Sequence, residues 1–160
     1  MALTTEQAMQ QGVASHREGN LQEAERLYRA ILQTQPGHPD ANHNLGLIAL
    51  AANAAEAALP LFKTALEINP AVEQFWLSYI AVLIRLGLLE PAKGVLERAQ
   101  DLGFKIEKLE PLNRKLASTT NKAPVSEVAA AEVYRTLGVA LKELGRLDEA
   151  EASYTRAITS

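Results

Sequence analysis

The sequence predicts an all-α fold built from helix pairs that recur with a period of about 34 residues. The stretch from Asn42 to Pro70 matches the chain one period earlier and one period later. Inside each copy, apolar residues recur at spacings of three and four, which is the period of an amphipathic helix. Glycine and proline fall between these segments, where helices usually end and begin. Helical periodicity inside a repeat of this length is typical of stacked helix pairs.

Four copies of the pattern share a set of residue types. Three copies carry glycine in the first helix, preceded by Leu in the second and fourth copies, and all four carry Ala in the second helix followed one helical turn later by a large side chain. The matching residues are Gly12, Ala24, Tyr28 and Pro36 in the first copy, Asn42, Leu45, Gly46, Ala58, Phe62 and Pro70 in the second, Trp76, Ala92, Leu96 and Ala99 in the third, and Tyr134, Leu137, Gly138, Ala150 and Tyr154 in the fourth. The third copy departs from the pattern, because Ile80 stands where the others have glycine.

This pattern resembles the tetratricopeptide repeat family, which has the same period. The resemblance covers nearly the whole chain and is specific, because several positions agree in four copies. It implies antiparallel helix pairs stacked in a right-handed α-solenoid, whose inner surface is formed by the first helix of each pair and holds a partner. The chain is also similar to the N-terminal arrays of bacterial multidomain proteins such as O-GlcNAc transferase-like glycosyltransferases.

The repeats divide the chain into five segments. We expect three contiguous repeats at about residues 4–36, 39–70 and 71–104. The separation between Ala92 of the third copy and Ala150 of the fourth is well over one period, which indicates an insertion. We expect residues 105–125 to hold a short inserted helix and a linker, and residues 126–160 to form a fourth repeat that begins a further array.

Helix ends are marked by capping residues, glycine and proline. Thr4 and Gln7 have the spacing of a capping box, and Gly19 marks the end of the first helix. Pro39 fits the first turn of the third helix, where a missing N–H costs nothing. Pro60 falls well inside the fourth helix and predicts a kink there.

Composition excludes several classes of protein. The net charge of -3 and the pI of about 5.7 provide no basic field for nucleic acid. The absence of cysteine excludes disulfides and thiolate metal sites. Residues 1–10 lack the pattern of a signal peptide, and the longest apolar region, residues 45–62, is interrupted by polar residues and proline. We therefore expect a cytoplasmic protein without a membrane span.

The candidate chemical residues do not form a catalytic or metal site. His16 and His43 fall on successive first helices and could approach one another, but this pair lacks a convincing third ligand. The glycines at positions 12, 46 and 138 lie inside predicted helices and do not form a phosphate-binding loop. We expect no catalysis, no metal and no cofactor.

The inner surface that the resemblance implies is the predicted binding site. Its residues are those that the packing pattern leaves facing inward: Met9, Gln10, Val13, Arg17, His43, Asn44, Leu47, Leu50, Leu77, Ser78, Ile84 and Arg85. Half of them are apolar, and an exposed apolar strip usually marks a binding groove for an amphipathic helix or an apolar extended segment. In the alternative interpretation, these side chains contact one another or the insertion.

A polar line crosses the same surface at equivalent positions of the four repeats, namely Gln10, Asn44, Ser78 and Thr136. Asn44 is similar to the asparagine that grips an extended peptide backbone in the arrays of O-GlcNAc transferases. A side-chain amide donates and accepts hydrogen bonds at once, so it can bind a backbone without regard to sequence.

The predicted function is a protein-interaction scaffold that binds a peptide or a helix in its groove. One alternative is a substrate-recruiting array at the N-terminus of a larger glycosyltransferase, sulfotransferase or methyltransferase. A second alternative is a scaffold that self-associates through uncapped terminal helices.

Overall fold

A computed structural model of the chain describes residues 2–105, 110–112, 114–115 and 127–159. These ranges contain no β-strand, and residues 110–112 and 114–115 are helical. Eight long helices lie within them: α1 (Thr5–Arg17), α2 (Leu21–Thr34), α3 (Pro39–Ala51), α4 (Ala55–Ile68), α5 (Glu73–Arg85), α6 (Leu89–Asp101), α7 (Glu127–Glu143) and α8 (Leu147–Thr159). The predicted all-α fold of helix-turn-helix repeats is confirmed.

The helices belong to two compact units, Met1–Ala65 and Leu66–Ser160. In the first unit, α1 packs against α2, α2 packs against α3, and α4 lies against α3. In the second unit, α5 packs against α6, α6 contacts α7, and α7 packs against α8. Each predicted pair therefore consists of two helices that are consecutive in the chain.

The predicted helix ends agree with the structure. The Thr4 side chain accepts from the Gln7 N–H at 3.1 Å, and the Gln7 side chain accepts from the Thr4 N–H at 3.0 Å, which completes the capping box. Pro39 occupies the first turn of α3. Pro60 lies inside α4, which nevertheless continues to Ile68.

The turn between the two helices of a pair has one backbone position with a left-handed conformation. Gly19, Gly87 and Gly145 occupy it with φ of 81°, 77° and 78°. Asn53 occupies the same repeat position with φ of 60° and is the one such non-glycine residue in the described ranges. Asparagine tolerates this conformation better than most residues that have a Cβ atom.

Glycines in the first helix of a pair allow an aromatic ring of the second helix to lie against the backbone. A Cβ atom added at any of these glycines would overlap the ring, since Cβ contacts below 3.0 Å do not occur without a shift. The distance to the ring Cε1 atom would be 2.7 Å between Gly12 and Tyr28, 2.6 Å between Gly46 and Phe62, and 2.8 Å between Gly138 and Tyr154. The packing therefore requires glycine in the first helix of a pair whose second helix carries an aromatic ring at this position.

A side chain near the start of the first helix is tied to the preceding proline. The Asn42 amide donates to the carbonyl oxygens of Pro36 and His38, both at 2.9 Å. One period later, the Trp76 indole N–H donates to the Pro70 carbonyl oxygen at 2.7 Å. These bonds fix the turn that joins one pair to the next.

The insertion leaves α7 in contact with α6. The ring of Tyr134 in α7 lies 3.6 Å from where a Cβ atom of Gly94 would be, and the Arg156 guanidinium lies 4.5 Å from the centre of that ring. Arg98 of α6 pairs with Glu149 of α8 at 3.2 Å. The predicted linker lies outside the described residues, whereas residues 110–112 and 114–115, within the segment predicted to hold the inserted helix, are described and helical.

Candidate binding surface

The predicted groove residues of α1 lie at or near the surface. Met9 and Val13 are half-buried, whereas Gln10 and Arg17 are exposed. Met9 packs against two buried clusters, one containing Ala8 and Ala41 and the other containing residues of α2 and α3. The α1 side of the predicted groove is therefore accessible and is held next to α3.

The predicted residues of α3 differ in exposure. Asn44, Leu47 and Leu50 are half-buried, whereas His43 exposes only 5% of its surface. The His43 ring lies 5.5 Å from the Phe62 ring in α4. The structure thus places His43 in the packing between α3 and α4 and not at the groove surface.

The predicted residues of α5, in the second unit, also differ in exposure. Leu77 is half-buried and Arg85 is exposed, but Ser78 and Ile84 each expose only 5% of their surface. More than half of the residues of α5 are buried, so most of its circumference is covered. Leu77 and Arg85 are the predicted α5 residues that a ligand can reach.

The first unit contains a buried polar group in α2. The Tyr28 hydroxyl is buried and makes no hydrogen bond of good geometry to another described residue. Burial raises the pKa of Tyr28, and the nearby Asn44 side chain only partly offsets this effect. Burial also lowers the pKa of His43, against the opposing effects of Asn44 and Asp40. His43 is therefore more readily neutral than an exposed histidine.

The predicted polar line is a surface feature only in the first unit. Gln10 is exposed and Asn44 is half-buried. Ser78 is 5% exposed and Thr136 is fully buried. A peptide backbone could therefore contact the amides of α1 and α3, whereas the hydroxyls of α5 and α7 lie within the helix packing.

A cavity of about 370 Å³ lies on a different face of the first unit. Residues of α2, α3, α4 and the turn between α3 and α4 line it, and none of them belongs to the predicted groove. Small side chains leave this space open, namely those of Ala49, Ala52, Ala54 and Ala57. Sequence reasoning missed the cavity, because alanines at these positions have the same pattern as closely packed helices.

The described residues were also searched for a metal site and for a membrane-spanning helix. They contain no group of three or more His, Cys, Asp or Glu side chains placed to hold a metal ion. None of their helices is both long enough and apolar enough to cross a membrane.

Comparison with known proteins identifies the repeats. Tetratricopeptide repeat family models match residues 11–73, 49–105 and 131–160. The chain belongs to the tetratricopeptide repeat family. No curated protein matches the sequence. The tetratricopeptide repeat fold is typical of protein-interaction scaffolds.

Solved structures of similar fold include those of MamA and of TTC0263, a thermophilic tetratricopeptide repeat protein of Thermus thermophilus. A crystal structure of MamA matches with a TM-score of 0.63 and 18% identity, covering 97% of this chain and 90% of MamA. Another MamA structure has a TM-score of 0.58 and 19% identity, covering 98% and 73%. TTC0263 has a TM-score of 0.50 and 22% identity, covering 98% and 74%. At these identities the likeness concerns the fold alone.

Proposed function

We propose that the protein is an interaction scaffold whose first unit binds an apolar helix or an extended peptide on the face shared by α1 and α3. The observation that carries this proposal is the partial exposure of Val13, Leu47 and Leu50 on two first helices. Removing such side chains from water contributes about 25 cal/mol per Å² of apolar surface. A partner with an apolar face gains from covering them.

Polar groups at the edges of this face would orient the ligand. Gln10 and Asn44 can each donate and accept a hydrogen bond, and Arg17 is exposed at the end of α1. A peptide with a carboxylate near its apolar segment would pair with Arg17. On this proposal the amides bind backbone groups and the apolar residues select the side chains.

The second unit offers a smaller surface of the same kind on α5, which carries the half-buried Leu77 and the exposed Arg85. We propose that this surface also contributes to partner binding. A separate variant tests its contribution. The protein on this proposal is cytoplasmic, has no catalytic activity of its own and does not bind nucleic acid.

The test is affinity capture from lysate with the full chain and with the double variant Leu47→Glu, Leu50→Glu. The variant should lose the captured partner, because two carboxylates on the apolar face would have to be desolvated on binding. Leu3→Glu is the matched control, since Leu3 is 44% exposed in the same unit and lies outside the predicted groove. Equal capture by all three proteins would refute the proposal.

The same comparison with Leu77→Glu measures the part played by the second unit. Circular dichroism of each variant checks that helicity is unchanged. Loss of helicity in the Leu47→Glu, Leu50→Glu variant would show that these leucines belong to the core and not to a groove.

The alternative of a substrate-recruiting array uses the same surface with a different partner. If the gene encodes a glycosyltransferase, sulfotransferase or methyltransferase domain as well, the captured protein should be a substrate of that domain. Self-association is separated from both by light scattering, because the mass of an end-to-end assembly must grow with concentration.

A further inference from the structure

A cleft of the first unit lies among α2, α3 and α4, on a different face from the proposed groove. It is the cavity of about 370 Å³ described above, and it is called here the α2–α4 cleft. The three helices follow one another in the chain and already pack together. Since each repeat packs only on its neighbours, a further repeat at either end of the chain would stack outside these three helices.

The lining of the α2–α4 cleft is apolar apart from one ion pair on α2. Leu45 and Ile48 of α3 are buried beside it, and the apolar side chains around them are Ala49, Ala52, Ala54, Ala57, Pro60 and Leu61. On α2, the Arg29 Nε–H donates to Glu25 Oε1 at 2.8 Å, and the Arg29 side chain is 63% exposed. A guanidinium that donates in its own plane still offers its flat face to an aromatic ring.

A smaller cleft in the second unit shows how this chain fills such a space. It also lies among a second helix, a first helix and the next second helix, namely α6, α7 and α8. There the Tyr134 ring lies against Gly94, and the Arg156 guanidinium lies 4.5 Å from the centre of that ring. The space that remains is about 130 Å³. An aromatic ring covered by an arginine therefore suits a cleft between helices of this kind.

The α2–α4 cleft has an arginine in its lining but no aromatic side chain. The chain has one Trp, four Tyr and three Phe, and none of them falls in residues 105–126. Six of the aromatic residues are buried, namely Tyr28, Phe62, Phe75, Trp76, Tyr79 and Tyr134. The Phe104 ring lies 5.8 Å from the Trp76 ring, and the Tyr154 ring lies against Gly138.

These contacts bear on the source of a ring for the α2–α4 cleft. A ring supplied by this chain, from the same copy or from a second copy, would have to leave packing that it already makes. That loss costs free energy in proportion to the apolar surface that returns to water. A ring from a different protein carries no such cost.

We propose that the α2–α4 cleft docks an aromatic side chain of a partner protein, with the ring against the apolar lining and Arg29 over its face. A large side chain that fills a pocket is the usual centre of a protein interface. Aromatic side chains bury about 150–250 Å² each, which makes one residue an effective anchor. This surface is distinct from the groove of the proposed function, so either can fail without the other.

The first experiment titrates the isotope-labelled full chain with a peptide that has one tryptophan between glycines and serines, followed by NMR. Amide signals of Ala49, Ala52 and Ala57 should shift and saturate. The dissociation constant should be on the order of 1 mM, because the anchor has only about ten non-hydrogen atoms. The same peptide with leucine in place of tryptophan should bind about fivefold more weakly, since it lacks a ring for Arg29.

Filling the α2–α4 cleft from within should block the tryptophan peptide. Ala57 is exposed and lines the cleft, so Ala57→Phe places a ring there without replacing a core residue. Ala30→Phe is the matched control, since Ala30 is an exposed alanine of α2 outside the lining. The control should bind the peptide like the unmodified chain, and circular dichroism checks that both variants keep their helicity.

A second variant tests the arginine separately. Arg29→Met keeps a long side chain but removes the guanidinium, and at 63% exposure little packing is lost. It should reduce the preference for tryptophan over leucine by about threefold, the size of an exposed cation–π contact. Affinity for the leucine peptide should be unchanged. An unaltered preference would overturn the role assigned to Arg29.

Absence of saturable shifts, or equal affinity for the two peptides, would overturn the proposal. So would binding that Leu47→Glu, Leu50→Glu removes and Ala57→Phe leaves intact, because the peptide would then lie in the groove. Binding of free indole without binding of the peptide would indicate a small-molecule site. Growth in mass with concentration that Ala57→Phe abolishes, measured by sedimentation, would show that a second copy covers the cleft. Either of these last results would also overturn the proposal.

Discussion

In the second and third helix pairs, the same contact between first and second helix is made by side chains of different relative size. In the second pair, Gly46 of the first helix faces the large ring of Phe62. In the third pair, Ile80 and Leu96 occupy these positions and are 0% and 4% exposed. A side chain added to one helix is thus accompanied by a smaller one on the other. The repeat fixes the space between two helices and not the residue that fills it.

The two pairs also use different donors for one bond. Asn42 reaches the Pro36 carbonyl oxygen with an amide, and Trp76 reaches the Pro70 carbonyl oxygen with an indole N–H. Trp76 is fully buried and Asn42 is 4% exposed. The third pair, which lacks the recurring glycine, therefore buries a larger apolar side chain near the start of its first helix.

The largest effect should come from giving the second pair the isoleucine of the third. Gly46→Ile should lower the free energy of unfolding by about 3 kcal/mol, because the added atoms overlap the Phe62 ring. Urea denaturation followed by circular dichroism measures this change.

The rescue of that variant tests the exchange of size directly. Adding Phe62→Leu should recover at least half of the loss, since the pair then matches Ile80 and Leu96. If the two substitutions are simply additive in their cost, the second and third pairs differ in backbone spacing and not in the side chains that fill one space.

A smaller effect is expected when the indole donor is removed. Trp76→Phe should cost about 2 kcal/mol, because it leaves the Pro70 carbonyl oxygen without its buried donor and removes part of a buried side chain. Thermal or urea unfolding gives the value. Tyr154→Phe, which keeps the ring of a half-buried residue, serves as the control, and a similar cost there would contradict a specific role for the indole N–H.

Gly94 should respond in the opposite direction from Gly46. A Cβ atom at position 94 would lie 3.6 Å from the Tyr134 ring, an ordinary contact distance. Gly94→Ala should therefore raise the free energy of unfolding by about 0.5–1 kcal/mol through helix propensity. Gly46→Ala is the comparison, and it should destabilise the protein. Stabilisation by both would show that the Phe62 ring moves away at little cost.

The smallest expected effect is a pH dependence that belongs to the second pair. Burial lowers the pKa of His43 below its unfolded value, with Asn44 and Asp40 opposing the shift. Between the two pKa values the unfolded state therefore binds more protons than the folded state. The free energy of unfolding is greatest above the unfolded-state pKa of the histidine, and it falls as the pH decreases from that value towards the lower folded-state pKa. Urea unfolding at pH 7.5 and 5.5 should show a decrease that His43→Gln reduces. An equal decrease in both proteins would assign it to other groups.

Much of the fold follows from local sequence signals. Thr4 with Gln7, the glycine at position 19 and Pro39 set helix ends through bonds and torsions among near neighbours. The glycine and aromatic positions are also readable, because the repeat shows them several times. Family membership follows from the same positions.

The candidate surface was less predictable. His43, Ser78 and Ile84 were expected in the groove, but a first helix between two neighbours is covered around more of its circumference than the packing pattern indicates. The cavity beside Ala49 and Ala57 went unpredicted for a related reason. Its volume depends on the separation of α2 and α4, and an alanine alone does not encode that distance.

The contact between α6 and α7 has a consequence for how this chain can change in length. Twenty-five residues separate these helices (102–126), against four between α2 and α3 (35–38). The entropic cost of closing a connection grows only with the logarithm of its length, by about 0.6 kcal/mol for each doubling. This junction can thus accept an evolutionary insertion or a genetically fused reporter, whereas a similar insertion between α2 and α3 would also break the bonds from Asn42 to Pro36 and His38.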